Sequence, residues 1–281
     1  RSGWYGHSLP ARVGFLNDKG RACPIEVSML HKVSVLITVA WLSGTVAPNA
    51  VVAGAPTSGE RVNQLVDRYF EESLRLHPIA ATYIGDNRYN DKFTNSISPR
   101  FVAKSGRRER SYLRQLEAID TAQLSAADRI TYDVFRFDRE TVIAGARFAD
   151  ELLPIDQLNN PITQFAVLGS GASAQPFVTV KDYDNFLRRT DEFLVFLEQC
   201  IINMRAGIAK GVVQPRVVMQ KVLPQLDDLI VAKVEDSVFY GPIKALPEKK
   251  FPAAENARLT AAYQREITRK INPSFIRVRD F

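Results

Sequence analysis

Histidine and cysteine are scarce in this chain, and their scarcity limits the chemistry that the sequence can carry. Its 281 residues include three histidines and two cysteines. His7, His31 and Cys23 fall within residues 1–53, which leaves only His77 and Cys200 for the rest of the chain. A single histidine cannot form a zinc site without several correctly placed carboxylates, and the sequence contains no H-E-x-x-H motif. A single cysteine excludes an internal disulfide in that part of the chain.

Other catalytic signatures are also missing. A Ser-His-Asp triad could use only His77, and no serine stands out as its partner. Gly169-Ser170-Gly171 suggests a phosphate loop or a nucleophile elbow, but the G-x-G-x-x-G, G-x-x-x-x-G-K and G-x-S-x-G patterns are absent. We interpret these three residues as a flexible turn, His77 as a capping or surface residue, and Cys200 as a small core residue. The sequence therefore nominates no catalytic, cofactor-binding or metal-binding residue.

Acidic residues occur in close pairs, which could indicate a general acid and base. The pairs are Glu71-Glu72, Asp182 with Asp184, and Asp227-Asp228. Side chains that are adjacent or two apart on a helix point in different directions, so the two carboxylates of each pair do not converge. We predict that they lie on solvated helix faces.

Long hydrophobic runs are absent except for one short run near the start. Met29 and Lys32 precede an apolar segment over 33–42 that is interrupted only by Ser34 and Thr38. Small residues follow, and no charge appears before Glu60. This order is typical of a signal peptide, and the run is shorter than the roughly 20 residues that span a bilayer.

We therefore predict a signal peptide over residues 29–53 and a mature chain over 54–281, with a periplasmic or secreted location. The mature chain would have no stable membrane span. An uncleaved anchor and a buried helix are the alternatives. Residues 1–28 have no periodicity and no initiating Met, so we interpret them as a non-native upstream extension that is disordered.

The signal-peptide prediction changes the meaning of the basic charge. The whole chain carries 37 Lys and Arg against 31 Asp and Glu, a net charge of +6. Residues 1–53 hold five of the basic and two of the acidic residues, so the mature chain has 32 and 29, a net charge of +3. This balance removes the reason to expect a nucleic-acid partner.

One long helix organises what the sequence does contain. Between residues 180 and 210, mostly apolar side chains recur at alternating spacings of four and three, which predicts one buried helix face. They are Tyr183, Leu187, Thr190, Leu194, Leu197, Ile201, Met204 and Ile208. Phe186, Phe193, Phe196 and Cys200 widen this stripe to a second flank, which favours packing against neighbours on two sides. Thr179 with Asp182 predicts the N-terminal cap, and Gly211 the end.

Shorter helical patterns surround this helix. Helix starts are indicated at Thr57–Glu60, Pro78, Ser98-Pro99 and Ser125, and further helices are predicted over 130–148, 215–234 with a kink at Pro224, and 253–271. Residues 151–178 read as a long irregular connection. At the C-terminus, Phe275, Ile276 and Val278 lack an evident packing partner in the sequence. Alternating strands and internal repeats are absent, so we predict an all-α, multi-helix array around the long central helix.

A basic cluster lies on the helix that Ser98-Pro99 opens. Its members are Lys104, Arg107, Arg108 and Arg110. Such clusters are usually solvated, and we expect the same here. Phosphate binding around Arg107–Arg110 is the alternative, and it would show as salt-dependent binding.

Three segments resemble the N-terminal half of a bacterial family known as domain of unknown function 885. The first is Leu65–Asp91 (LVDRYFEESLRLHPIAATYIGDNRYND), with its Pro, Ala-Thr and Gly-Asp. The second is Tyr183–Pro215, which includes the run MRAGIAKG over Met204–Gly211, and the third is Ile271–Phe281 (INPSFIRVRDF). Together they extend over nearly all of residues 60–281. The resemblance implies an all-helical fold similar to that of zinc metallopeptidases.

The same resemblance implies that something is missing. Members of the family run to roughly twice this length, and their histidines and catalytic glutamate lie in an H-E-x-x-P-G-H-like motif in the second half. No residue of this chain matches that motif. The resemblance therefore implies zinc for the full-length family, no cofactor in this chain, and the missing C-terminal half as its partner, with a peptide as substrate only at full length.

We therefore expect an exported N-terminal scaffold fragment of a zinc-dependent peptidase-like protein, the incomplete half of a larger fold, which is inactive alone. The alternative is a non-enzymatic helical binding module of the cell envelope that is self-sufficient. The fragment would expose apolar surface, whereas the module would be a soluble and cooperative monomer.

Overall fold

Helices account for all the regular structure in the part of the chain that is described. The computed structural model describes residues 55–281 and places in them α1 (Ser58–Leu76), α2 (Pro78–Tyr83), α3 (Pro99–Glu117), α4 (Ala126–Gly145), α5 (Pro161–Gly169), α6 (Val180–Lys210), α7 (Arg216–Asp227), α8 (Gly241–Lys244), α9 (Ala253–Glu266) and α10 (Asn272–Asp280). Short 3-10 turns lie at Asn87–Tyr89, Asp150–Leu152, Val234–Asp236, Val238–Tyr240 and Leu246–Glu248, and a π-helical turn at Ile267–Ile271 joins α9 to α10. The all-α prediction is confirmed. The predicted extension over 1–28 and signal peptide over 29–53 lie outside the described residues.

Helix α6 is the central element, and both of its predicted ends are confirmed. Thr179 accepts a hydrogen bond from the backbone N–H of Asp182, whose carboxylate accepts one from the Thr179 backbone N–H at 2.7 Å. Gly211 ends the helix with φ of +71°, a left-handed conformation that suits glycine. The 31 residues between them make a rod of about 46 Å.

The buried face of α6 is rotated from the predicted stripe. Of that stripe, Tyr183, Thr190, Leu197 and Ile201 are buried, whereas Ile208 is 61% exposed. The flank is buried throughout, at Phe186, Phe193, Phe196 and Cys200. The reason is that α5 packs on this flank: the ring of Phe165 stacks on that of Phe193, with centroids 3.9 Å apart.

Two separate groups of buried apolar side chains hold the helices together. The first, which we call the N-terminal cluster, joins α1, α3 and α4 through Val62, Leu65, Tyr112, Leu116, Ile119, Tyr132 and Phe135. The second, which we call the central cluster, is larger and surrounds α6 with residues from α5, α7, α9 and α10. The loop between α2 and α3 packs on α6, and its Phe93 contacts Phe165, Phe193 and Phe196.

Three sequence expectations about helices were wrong. The connection predicted over 151–178 contains α5, which begins where the Asn160 side chain accepts a hydrogen bond from the Ile162 N–H and Pro161 takes the first helical position. The helices predicted to run to residues 148 and 234 end at Gly145 and Asp227. A side-chain cap at Asn160 followed by Pro161 is a recognised signal for the start of a helix, and the interpretation of residues 151–178 as an irregular connection overlooked it.

The expectation that the C-terminal segment lacks a partner was also wrong. Phe275 is fully buried and its ring lies 6.0 Å from that of Phe239, between centroids, while Val278 is 7% exposed. Ile276 is half-buried. Helix α10 packs on α6 and α7, so elements distant in sequence supply the contacts that periodicity alone could not reveal.

Candidate functional site

An apolar cavity of about 380 Å³ lies at the C-terminal end of α6. We call it the C-terminal cavity. Its lining is mostly aliphatic, with Leu152, Leu153, Ile155, Met204, Ile208, Val212, Val213, Met219, Val222, Leu223, Leu226, Val278 and Phe281, and only Gln214, Arg279 and Asp280 are polar. Its volume is at the lower end of the range of ligand pockets, about 300–1,000 Å³. Such a site binds apolar groups and offers no chemistry of its own.

Four segments form the walls of the C-terminal cavity. Helix α7 presents the face made by Met219, Val222, Leu223 and Leu226, whose spacing of three and four is that of one helix side. Helix α10 contributes its last turn, and the end of α6 contributes Met204 and Ile208. The 3-10 turn at Asp150–Leu152 closes the fourth side.

Close backbone approach at Gly207 shapes the turn that borders the cavity. A Cβ atom at this position would lie 2.5 Å from the Val212 carbonyl oxygen and 3.2 Å from that of Leu152. The Val212 N–H donates to the Gly207 carbonyl at 2.8 Å, so the chain turns back tightly after Gly211. Only glycine permits this approach, and the turn brings Val212 and Val213 to the cavity.

Buried amides fix the walls to one another. The Asn203 side chain, 6% exposed, donates to the Glu151 carbonyl at 3.0 Å and to the Ile97 carbonyl at 2.9 Å. Asn160 donates to the Gln225 side-chain oxygen at 3.0 Å, and Gln225 donates to the Gln157 carbonyl at 3.0 Å. These hydrogen bonds hold the 3-10 turn against α6 and α7 against the loop before α5.

Charges lie at the rim of the cavity. The Arg279 guanidinium donates to the Asp280 carboxylate at 2.7 and 2.9 Å and lies 3.6 Å from the Asp227 carboxylate. The Asp280 hydrogen bond raises the pKa of Arg279. The Arg205 guanidinium lies 5.3 Å from the centroid of the Phe281 ring. The rim is therefore charged, whereas the interior is apolar.

A buried arginine on α6 forms a second polar centre, which the sequence analysis missed. Arg189 is fully buried and makes four contacts with neutral oxygens, those of the Lys92 and Tyr89 backbones and the Thr82 and Gln175 side chains, at 2.5–2.9 Å. Burial lowers the pKa of Arg189 to about 10. This arrangement ties the loop after α2 to α6, and because these four contacts all lie within the chain we assign Arg189 a structural role.

A third buried polar centre lies in the N-terminal cluster. Arg139 is 2% exposed and forms an ion pair with Glu109, which is 3% exposed. Arg108 also contacts Glu109, at 3.0 Å, and Tyr69 donates its hydroxyl to the same carboxylate at 3.2 Å. The guanidinium carbons of Arg108 and Arg139 lie 3.8 and 3.9 Å from the Tyr69 ring centroid. Burial lowers the pKa of Arg139 to about 10.

The residues that the sequence analysis tested for chemistry occupy structural positions. His77 caps α1 through its backbone N–H, which donates to the Ser73 carbonyl at 2.8 Å, and its ring approaches Phe101. Cys200 is fully buried, and burial raises the pKa of its thiol, so it is a core residue as predicted. Gly169 is buried at the end of α5, where a Cβ would lie 2.4 Å from the Phe186 ring. This glycine is a close-packing residue rather than part of a flexible turn.

The basic cluster and the acidic pairs are partly engaged in ion pairs. The Arg108 side chain is 10% exposed and contacts Glu72 and the Ser73 hydroxyl, so it is not on a solvated face, whereas Lys104, Arg107 and Arg110 are exposed. Asp184 pairs with Arg258 at 2.9 Å. The pairs Glu71-Glu72 and Asp227-Asp228 do not converge on a common site.

Two further properties concern metals and membranes. Over residues 55–281, no group of three or more His, Cys, Asp or Glu side chains is arranged to hold a metal ion. The donors of this part of the chain therefore do not fit the zinc that the family resemblance implies.

None of the helices over the same residues has both the length and the apolar character needed to cross a bilayer.

Comparison with known proteins identifies a family and a fold. Residues 78–281 match the family described as "Bacterial protein of unknown function (DUF885)". A crystal structure of a protein from Colwellia psychrerythraea, which carries the name "putative lipoprotein", is similar with a TM-score of 0.71 at 13% sequence identity, a likeness of fold alone. The match covers 80% of this chain and 41% of that chain, so the chain spans less than half of the length of that relative. No curated protein matches the chain.

Proposed function

The chain belongs to the bacterial DUF885 family, and from this premise we propose that it is the helical scaffold half of an exported, peptidase-like protein. In this proposal the chain forms one wall of a substrate cleft, and a companion segment supplies the zinc ligands and the catalytic glutamate. Zinc and a peptide substrate then belong to the assembled protein. Because the donors over residues 55–281 do not fit zinc, no catalytic step is assigned to this chain.

The coverage of the structural match is the observation that supports this proposal most directly. The helices of this chain correspond to 41% of a longer chain, at a TM-score of 0.71. A scaffold half would also leave apolar surface uncovered, and in the lining of the C-terminal cavity Leu223 is 42% and Phe281 41% exposed. The name of the Colwellia protein supports an envelope location, in line with the signal peptide predicted over 29–53.

The test compares residues 54–281 alone with the same residues continued by the polypeptide encoded after codon 281. We expect the shorter protein to bind a hydrophobic dye, to self-associate with concentration, and to lack peptidase activity when zinc is added. The continued chain should bind about one zinc ion and cleave peptides. The proposal would be contradicted if the DNA after codon 281 contained no reading frame that continues the family match and encodes an H-E-x-x-H-type motif. Peptidase activity of the shorter protein would also contradict it.

The second candidate is a non-enzymatic helical binding module of the cell envelope. The C-terminal cavity favours it, because an aliphatic pocket with a charged rim can bind a partner without any chemistry. This candidate predicts that residues 54–281 form a monomer that unfolds cooperatively. It also predicts that a hydrophobic dye binds this monomer only if the dye fits the cavity. Analytical ultracentrifugation and urea unfolding of the same protein therefore separate the two functions.

A further inference from the structure

We propose that the C-terminal cavity is the seat of an amphipathic α-helix that belongs to the companion half of the protein. This inference rests on the proposed function, and it names the surface and the kind of segment that join the two halves. The occupant is defined by its chemistry: an apolar face that enters the cavity, flanked by acidic side chains.

The exposure of large apolar side chains is the first argument. Around the cavity, Ile208 is 61% exposed and Val213 is 56% exposed. Together with Leu223 and Phe281 they form an uncovered apolar surface that continues into the buried floor at Val222 and Leu226. Contiguous surfaces of this kind mark interaction sites in soluble proteins.

The composition of the lining is the second argument. The chain has three methionines, and both of those within residues 55–281, Met204 and Met219, line this cavity. Methionine is flexible and polarizable, and it is typical of grooves that accept the apolar face of a helix. A helix presents such a face at positions i, i+3, i+4 and i+7, and the matching face of α7 has the same spacing.

Charge around the cavity is the third argument, and it specifies the flanks of the occupant. Arg205, whose guanidinium lies 5.3 Å from the centroid of the Phe281 ring, and Arg216, at the start of α7, make no ion pair with another residue of the described range 55–281. Arg216 is three residues before Met219 and therefore lies on the cavity side of α7. A helix with acidic residues beside its apolar face would pair with these cations, and that pairing favours the correct orientation.

The length of the structural relative is the fourth argument, and it points to the source of the helix. The last turn of α10, up to Phe281, forms one wall, so a polypeptide that continues from it emerges at the mouth of the cavity. The Colwellia chain has more than half of its length outside the match. We assign the occupant of the cavity to that additional part.

The experiment uses a synthetic peptide as the probe. Its sequence is taken from the polypeptide encoded after codon 281, at the segment that corresponds to the part of the Colwellia protein lying over the place of the C-terminal cavity. If the superposed crystal structure has no helix there, the proposal is overturned at this step. The labelled peptide is titrated into residues 54–281 and followed by fluorescence anisotropy, and we expect saturable binding that weakens with salt.

Two variants that each replace an aliphatic residue by aspartate decide whether the peptide binds in the cavity. Leu223→Asp places a charge in the cavity and should weaken binding by about tenfold or more, which corresponds to about 1.4 kcal/mol. Val195→Asp changes an aliphatic residue of α6 that is 60% exposed, close to the 61% of Ile208, and lies away from the cavity, so it should leave binding unchanged. Ile208→Asp serves as a second cavity variant, and circular dichroism confirms that each variant is folded.

Three outcomes would overturn the docking proposal: no binding, equal binding to the wild type and Leu223→Asp, and a stable dimer that buries the cavity and excludes the peptide. None of these readouts requires zinc or peptidase activity. The peptide could bind the cavity as described while the continued chain binds no zinc and cleaves no peptide. That result would contradict the proposed function but would still support the docking surface. The two failures are therefore distinguishable.

Discussion

The two apolar clusters each contain a buried arginine, and they accommodate its charge in different ways. In the N-terminal cluster, Arg139 is paired with the buried carboxylate of Glu109. In the central cluster, Arg189 contacts only carbonyl, amide and hydroxyl oxygens, and the nearest acids, Asp91 and Glu192, act on it through space. One charge is neutralised directly, whereas the other is solvated by the protein.

This difference indicates different roles for the two residues. The ion pair of Arg139 joins two neighbouring helices, α3 and α4, that already share an apolar interface. Arg189 instead binds the backbone carbonyls of Tyr89 and Lys92, in the loop that follows α2 and contains the short 3-10 turn Asn87–Tyr89. Its five N–H groups replace the water that those oxygens would otherwise bind. We infer that Arg189 determines the conformation of the loop, whereas Arg139 adds to a contact that exists without it.

Arg189→Met should have the largest effect on stability. The substitution removes a donor from four oxygens, of which only the Tyr89 carbonyl keeps another donor, the Lys92 N–H at 3.0 Å, and we expect a loss of about 3–5 kcal/mol in the free energy of unfolding, measured with urea. Arg189→Lys, which keeps the charge but not the planar fork, should recover only part of this loss. A loss below about 1 kcal/mol for Arg189→Met would mean that water replaces the guanidinium, against the role inferred for it.

In the N-terminal cluster, removal of both charges should cost less than the sum of the two separate removals. Arg139→Met and Glu109→Leu are each expected to cost about 3 kcal/mol, because each leaves a buried charge with fewer partners. The double variant should lose at least about 1 kcal/mol less than the sum. The exposed pair Arg129 and Asp133, at 3.0 Å, is the control, with a coupling of no more than about 0.5 kcal/mol. Strict additivity at Arg139 and Glu109 would contradict the comparison.

The same residues show how far the sequence could predict this structure. Helix ends such as Thr179, Ser98 and Gly211 were predictable, because caps depend on residues close in sequence. Buried arginine and glutamate were not predicted, since these residue types are rarely buried. A signal was present nonetheless: Arg189 lies three residues after Phe186 and four before Phe193, in register with the buried flank of α6. The site itself could not be predicted, because its walls come from four segments that are distant in sequence.

Two identical substitutions at glycines of the two regions should have opposite signs. Gly207→Ala places a Cβ 2.5 Å from the Val212 carbonyl oxygen, and the required backbone shift should cost about 1–3 kcal/mol. Gly106 lies within α3, where the nearest atom to a Cβ is the flexible end of Arg110 at 3.4 Å. Gly106→Ala should therefore stabilise the protein by about 0.5–1 kcal/mol. Thermal unfolding of both variants measures the difference, and two changes of the same sign would refute the close approach at Gly207.

The smallest expected effect concerns Glu266, a buried acid of the central cluster that has a partner on only one oxygen. Its Oε2 lies 2.9 Å from the Lys270 ammonium, which also contacts Asp191, whereas its Oε1 is buried without a hydrogen-bond partner within the described chain. Burial raises the pKa of Glu266 above its ordinary value of 4.5, and the hydrogen bond from Lys270 opposes this shift. The folded state therefore holds the proton more tightly than the unfolded state does.

The stability that this proton contributes is fully present below the unfolded pKa and is lost as the pH rises through the folded pKa. Glu266→Gln removes this loss, so the variant should be more stable than the wild type at pH 7, and the advantage should disappear near pH 4. Glu255→Gln, at a partly exposed acid of α9 that pairs with Arg258, is the control and should change stability by no more than about 0.5 kcal/mol. Urea unfolding across this pH range gives both differences. An advantage of Glu266→Gln that is independent of pH would show that the buried carboxylate charge is not its cause. In that case the central cluster accommodates the charge of Glu266, which is paired on one oxygen only, as well as it accommodates the charge of Arg189.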